Sequence, residues 1–144
     1  MRHCDSYKYM KIVSACLAGV NCRYDCKHQE RLNIVEMVKN GEALPICPEQ
    51  LGGLSTPRPP AEIIGSKVIT NEGVEVTDQF NHGAQEALKI TKLAGVKKAL
   101  LKSKSPMCGS GKIYDGTYSG NLKKGDGVFA KLLKENGIEV ESVD

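Results

Sequence analysis

Short apolar runs alternate along the chain with longer stretches whose apolar residues recur every three or four positions. Lys11 to Ala15 is a β-type run, and Cys16 falls at its end. A polar loop follows, carrying Gly19, Asn21, Arg23, Tyr24, Asp25 and Lys27. Arg31 to Asn40 places Leu32, Val35 and Val38 at helical spacing, with Gly41 where a C-terminal cap is expected. Ala43 to Ile46 predicts a second strand, with Cys47 at its end. Lys67–Thr70 and Val74–Val76 flank Asn71-Glu72-Gly73 and predict a hairpin. Thr77 or Asp78 then caps a helix reaching about Leu93, with Phe80, Ala84, Ala87, Leu88 and Thr91 on one face and Gly95 after its end. Lys98 to Lys102 predicts a third core strand. Asp126 to Glu135 predicts a last helix with Val128, Phe129, Leu132 and Leu133 inward, and Ile138 to Val143 alternates as an edge strand. This alternation predicts an α/β fold: a compact, three-layer, Rossmann-like arrangement with a mostly parallel sheet and helices on both faces. One domain over residues 10–144 follows, with residues 1–9 a polar N-terminal extension that takes Cys4 with it.

Two segments break the pattern. Ile46 to Pro60, ICPEQLGGLSTPRPP, holds four of the six prolines and the adjacent Gly52 and Gly53. It predicts an ordered loop, neither helix interior nor central strand. Cys47 and Glu49 sit two residues apart within it, which argues for a functional loop over a rigid connector. The second segment, SKSPMCGSGKIYDGTYSG, carries Ser105 and Cys108. It lacks the spacing of a phosphate-binding loop and reads as an ordered glycine-rich loop.

Composition narrows the function. The 144 residues are 40% hydrophobic, with a formal charge of +3 from 20 basic and 17 acidic side chains. That balance does not point to nucleic acid, and the absence of tryptophan argues against a stacking platform. The apolar runs are too short for a membrane span, and the first ten residues lack the apolar core of a signal peptide. The cytoplasm is the expected compartment, where six cysteines need a reason other than disulfides.

The reason lies in their placement. Cys16, Cys47 and Cys108 each fall at or beyond the C-terminal end of a predicted core strand. In an open parallel sheet those ends border one crevice, where ligands bind. Three thiolates there suit a soft metal or an iron–sulfur cluster, with one coordination position left for chemistry. Glu49 would reach the same crevice as a general acid or base, or serve as a cap. Ser105 could position a water or shape a turn. Arg23, Asp25 and Arg58 could orient a polar substrate, although each reads first as a solvated surface charge. His3, His28 and His82 share no motif. Two other readings remain: a cluster-free carrier with a persulfide on Cys47 or Cys108, and a non-enzymatic module with zinc on Cys16, Cys22, Cys26 and one more ligand.

Taken together, SACLAGVNCRYD, PICPEQLGGLSTPRPPAEI, Gly83-Ala84, LLKSKSPMCGSGKIYDGTYSG and GDGVFAKLL resemble the 2-thiouracil desulfurase family, formerly domain of unknown function 523. The resemblance covers nearly the whole chain from Met10. It implies a 4Fe–4S cluster on Cys16, Cys47 and Cys108, with Glu49 and Ser105 at the catalytic positions. The implied substrate is a small thiolated nucleobase whose sulfur binds the free iron. The resemblance further implies that a water activated by Glu49 would attack the carbon and that sulfide would be left on the cluster. Cys26 departs from the family's RYDG pattern, and Met107 stands where a small polar residue is common.

Overall fold

A computed structural model describes residues 10–144; Cys4, His3 and the rest of the expected extension lie outside the described residues. Four parallel strands form the main sheet: β1 (Lys11–Ser14), β2 (Ala43–Ile46), β5 (Lys98–Lys102) and β8 (Glu139–Val143), in the spatial order β2-β1-β5-β8. The first crossover, from β1 to β2, runs one way along the sheet; the later ones run the other way. Right-handed crossovers then place their helices on opposite faces. Helix α1 (Leu32–Lys39) covers one face. Helices α3 (Thr77–Leu93) and α4 (Val128–Glu135) cover the other.

Strand residues alternate between the two layers as the pleat requires. Ile12, Ile46, Ala99 and Leu101 pack against Phe80, Ala84, Ala87, Phe129 and Leu133. Val13, Ala43 and Leu100 pack with Leu17 and Ile34 on the α1 side. The expected three-layer α/β architecture is the one observed. The buried stripe of α1 differs from expectation, however: Ile34 is buried with Met37 and Val38 beside it, while Leu32 is 78% exposed. An eight-residue helix over the sheet's margin buries a narrow stripe, so the periodicity of three residues could not choose among its rotations.

Local differences cluster around the two irregular segments. The expected loop 46–60 contains a single-turn helix, α2 (Pro48–Leu51), with proline at its start, where a missing N–H costs nothing. The hairpin pairs β3 (Ala61–Ile64) with β4 (Lys67–Thr70) around Gly65-Ser66, instead of pairing 67–70 with 74–76. Only the bridge Ile69–Glu75 remains of the expected pairing. Thr77 does not cap α3; its hydroxyl accepts the Val68 N–H at 2.9 Å. The glycine-rich loop folds into a small hairpin, β6 (Lys112–Tyr114) with β7 (Leu122–Lys124).

Helix α2 lies directly on α3. A Cβ on Gly83 would stand 1.9 Å from the Pro48 carbonyl oxygen, and one on Gly52 would stand 2.0 Å from that of Gln79. No side chain fits between the two backbones, which fixes the seat of the turn bearing Glu49. In an open helix Gly→Ala raises stability by up to about 1 kcal/mol. Here Gly83→Ala is expected to lower it by about 1–3 kcal/mol, as overpacking does, read as a lower denaturant midpoint with unchanged slope.

Candidate active site

Because β1 lies between β2 and β5, the three cysteine-bearing strand ends are neighbours. Cys16 sits in a 3-10 turn, Ala15–Ala18, directly after β1. Cys47 joins β2 to α2. Cys108 lies in the loop after β5. All three line one cavity of about 600 Å³, together with Cys22, Glu49 and Ser105. Tyr114, Tyr118 and Asn71 line it as well. The β6–β7 loop closes over the β3–β4 hairpin: Glu62 Oε1 accepts the N–H groups of Gly116 at 2.9 Å and Tyr118 at 3.1 Å, and the Tyr118 hydroxyl donates to the Ile69 carbonyl.

The Cys108 loop is shaped by Ser105. Its Oγ accepts the N–H groups of Met107 and Cys108, both at 3.0 Å. The loop's carbonyls then meet the start of α4: Val128 N–H donates to Pro106 at 2.8 Å and Phe129 N–H to Met107 at 2.8 Å. Gly127 permits this approach, since a Cβ there would lie 2.5 Å from the Met107 carbonyl carbon. Met107 itself is fully buried in the core, which explains an apolar residue at that position.

The thiols differ in acidity. Burial pushes Cys16 up to about 11, against the pull of Arg23 and Lys102. Burial also holds Cys108 well above the usual thiol range, opposed by a hydrogen bond from the Ser14 hydroxyl. Cys47 is drawn down to about 7, chiefly by hydrogen bonding with the Cys22 thiol; burial opposes this and the Gln50 amide assists. The Cys47 thiol also lies 3.8 Å from the Cys22 carbonyl. Cys22 is therefore the protonated member of that pair. Buried neutral thiols such as Cys16 and Cys108 are poor nucleophiles, but a coordinated metal deprotonates a thiol outright.

Glu49 projects from α2 and pairs with Arg58, whose Nε donates to Oε2 at 2.9 Å and whose Nη2 donates to the same oxygen. Both side chains are largely buried. Arg23 pairs with Asp25 at 3.1 Å, so this pair satisfies itself at the cavity's edge. Neither the place of Ser14 in the site nor the tie between Arg58 and Glu49 is legible in the sequence. Two charges nine residues apart in an irregular loop leave no periodic signal.

Among the described residues, no group of three or more histidine, cysteine or acidic side chains converges on a single ion position. Cys26, a ligand in the zinc reading, is exposed, with its backbone at φ 65°, the left-handed region where the family pattern has glycine. His28 Nδ1 accepts the Glu30 N–H at 3.1 Å in a local turn. Thiols spaced around a cavity fit a cluster, in which each cysteine binds a different iron, better than a mononuclear site. Among the described residues, no helix is long and apolar enough to cross a membrane.

The sequence model of the 2-thiouracil desulfurase family matches residues 12–144. The uncharacterized protein YbbK of Bacillus subtilis (strain 168) is 43% identical over 143 residues, covering 92% of this chain and 95% of its own. A solved structure described as the 4Fe-4S-dependent thiouracil desulfidase TudS matches with a TM-score of 0.89 and 44% identity, covering 94% of this chain and 91% of that one.

Thiol acidity gives a direct test. In metal-free, reduced protein, iodoacetamide is expected to label Cys47 with a rate that rises through pH 7, where its thiolate forms. Cys16 should respond only as the pH approaches about 11. Peptide mass spectrometry across a pH series reads each site separately.

Proposed function

The chain belongs to the 2-thiouracil desulfurase family, and from that premise we propose that it is a 4Fe–4S-dependent desulfurase. It converts the thiocarbonyl of a small thiolated nucleobase to a carbonyl, with water supplying the oxygen and sulfide departing. The reaction is redox-neutral: one C=S and one water give one C=O and one hydrogen sulfide. The observation that carries this reading is the gathering of Cys16, Cys47, Cys108 and Glu49 on one cavity at three adjacent strand ends.

Cys16, Cys47 and Cys108 would hold the cluster. When bound, it supplies an iron without a protein ligand, a Lewis acid whose softness suits sulfur. The cavity of about 600 Å³ has room for a small nucleobase beside the three cysteines. Glu49 accepts hydrogen bonds on Oε2 alone, so Oε1 takes the proton of the attacking water. Ser105 spends its acceptor capacity on two backbone amides. That fixes the Cys108 arm and leaves its own proton to donate to substrate or water. The cytoplasm, a reducing compartment, suits the five free cysteines among the described residues.

A second reading keeps one supporting observation. Cys47, drawn down to about 7 and half-buried, is the one cavity thiol activated as a nucleophile, as a persulfide carrier requires. Anaerobic reconstitution with iron and sulfide separates the two readings. Near four irons per chain, with loss of the 2-thiouracil absorbance, is expected of the desulfurase. Replacing Cys16, Cys47 or Cys108 singly by alanine should remove iron in each case. Glu49→Gln should keep the iron and lower kcat by about 10²–10⁴-fold. A carrier would lose activity with Cys47 alone and bind no iron.

A further inference from the structure

Arg58 commits every proton of its guanidinium. Nε and Nη2 both donate to Glu49 Oε2, the first at 2.9 Å. Nη2 also donates to the Cys22 carbonyl at 3.0 Å. Nη1 donates to the Ser55 carbonyl at 3.1 Å and to Thr56 Oγ1 at 2.9 Å. These bonds use all five N–H groups that a guanidinium has. The side chain is only 7% exposed. A guanidinium so buried and so occupied fits neither a solvated surface charge nor a group that orients substrate directly.

Its partners show what it does instead. Two of its donors converge on one carboxylate oxygen, which pins the rotation of Glu49 and leaves Oε1 without a hydrogen bond from the described residues. The Cys22 carbonyl that it grips also lies 3.8 Å from the Cys47 thiol. The Arg58 N–H adds a bond to the Tyr24 carbonyl at 2.9 Å, on the same cysteine-bearing loop. The chain thus ties the carboxylate of α2 to the loop that packs on Cys47. We propose that Arg58 is the positioning residue of the reaction: it aims Glu49 Oε1 into the cavity and holds it in register with the Cys47 arm. This rests on the desulfurase reading. Lysine cannot replace it, because a point charge lacks the fork that binds one oxygen from two directions while reaching a carbonyl.

The test uses anaerobically reconstituted holoprotein of the wild type, Arg58→Lys, Arg58→Ala, Glu49→Gln and the double variant Glu49→Gln/Arg58→Lys, with 2-thiouracil as substrate. Arg58→Lys is expected to keep wild-type iron and sulfide content, to leave KM within about threefold, and to lower kcat about a hundredfold, the cost of a misplaced catalytic group. Added guanidinium ion should restore part of kcat in Arg58→Ala and none in Glu49→Gln. The double variant should be no slower than Glu49→Gln alone, since the two residues act as a unit. Unchanged kcat in Arg58→Lys overturns the proposal. So does a loss of iron that matches the loss of rate, because Arg58 would then only brace the loop. If the wild type loads iron without turning over 2-thiouracil, the substrate reading fails separately. The crystal structure of Arg58→Lys then decides: Glu49 swung out of the cavity supports the positioning role, and Glu49 unmoved overturns it.

Discussion

Strand β1 is the element on which the site depends. Ile12 and Val13 are fully buried on opposite faces, and the strand pairs with β2 on one side and β5 on the other. A strand enclosed in this way has one register, because a slip of one residue would turn each face's side chains into the wrong layer. The register Ser14–Ile46 then sets Cys47 one step beyond the pair, beside the turn that holds Cys16. Ser14 adds a bond across the other border, its Oγ accepting the Lys102 N–H at 2.9 Å. The chain also reverses its direction across the sheet at β1, which opens the crevice there.

Burial around the cavity works against thiolate charge at two of its three edges. Cys16 and Cys108 are shielded enough to stay neutral, and their hydrogen-bond and cationic neighbours only partly offset that. Cys47 is the exception, helped by Cys22, the Gln50 amide and Arg58. Lys102, half-buried at the end of β5, is itself held below its ordinary range by desolvation, although Cys16 favours its charge. Of the three thiols, Cys47 alone ionises near neutral pH in the metal-free site. A metal centre is the partner that would convert all three thiols into ligands at once.

Much of this arrangement could be read from residue order alone. The strands ending at Cys16 and Cys47 and the one preceding Cys108 were recognisable because each is a short apolar run with a break after it. The amphipathic face of α3, from Phe80 to Thr91, was equally clear. What escaped was short or non-periodic. The β3–β4 register follows from Gly65 and Ser66, a two-residue turn signal overshadowed by Asn71-Glu72-Gly73. The three-residue strands β6 and β7 are too short to show alternation. The Gly52–Gly83 contact joins two glycines whose need for close approach appears only when the backbones meet. The role of Arg58 was hidden for the same reason, because its partners come from three separate turns of the chain.

The seat of the Cys108 loop on the start of α4 sets an order of assembly. The carbonyls of Pro106 and Met107 are held by amides of Val128 and Phe129, residues that leave the ribosome after Cys108 itself. Ser103, at the root of the same loop, bonds through its N–H to the Val143 carbonyl at 2.9 Å, next to the end of the chain. A nascent chain therefore has two arms of the site well before the third is braced. A chain cut before Val128 would carry Cys16, Cys47 and Cys108 yet lack the amides that brace the loop of the last one.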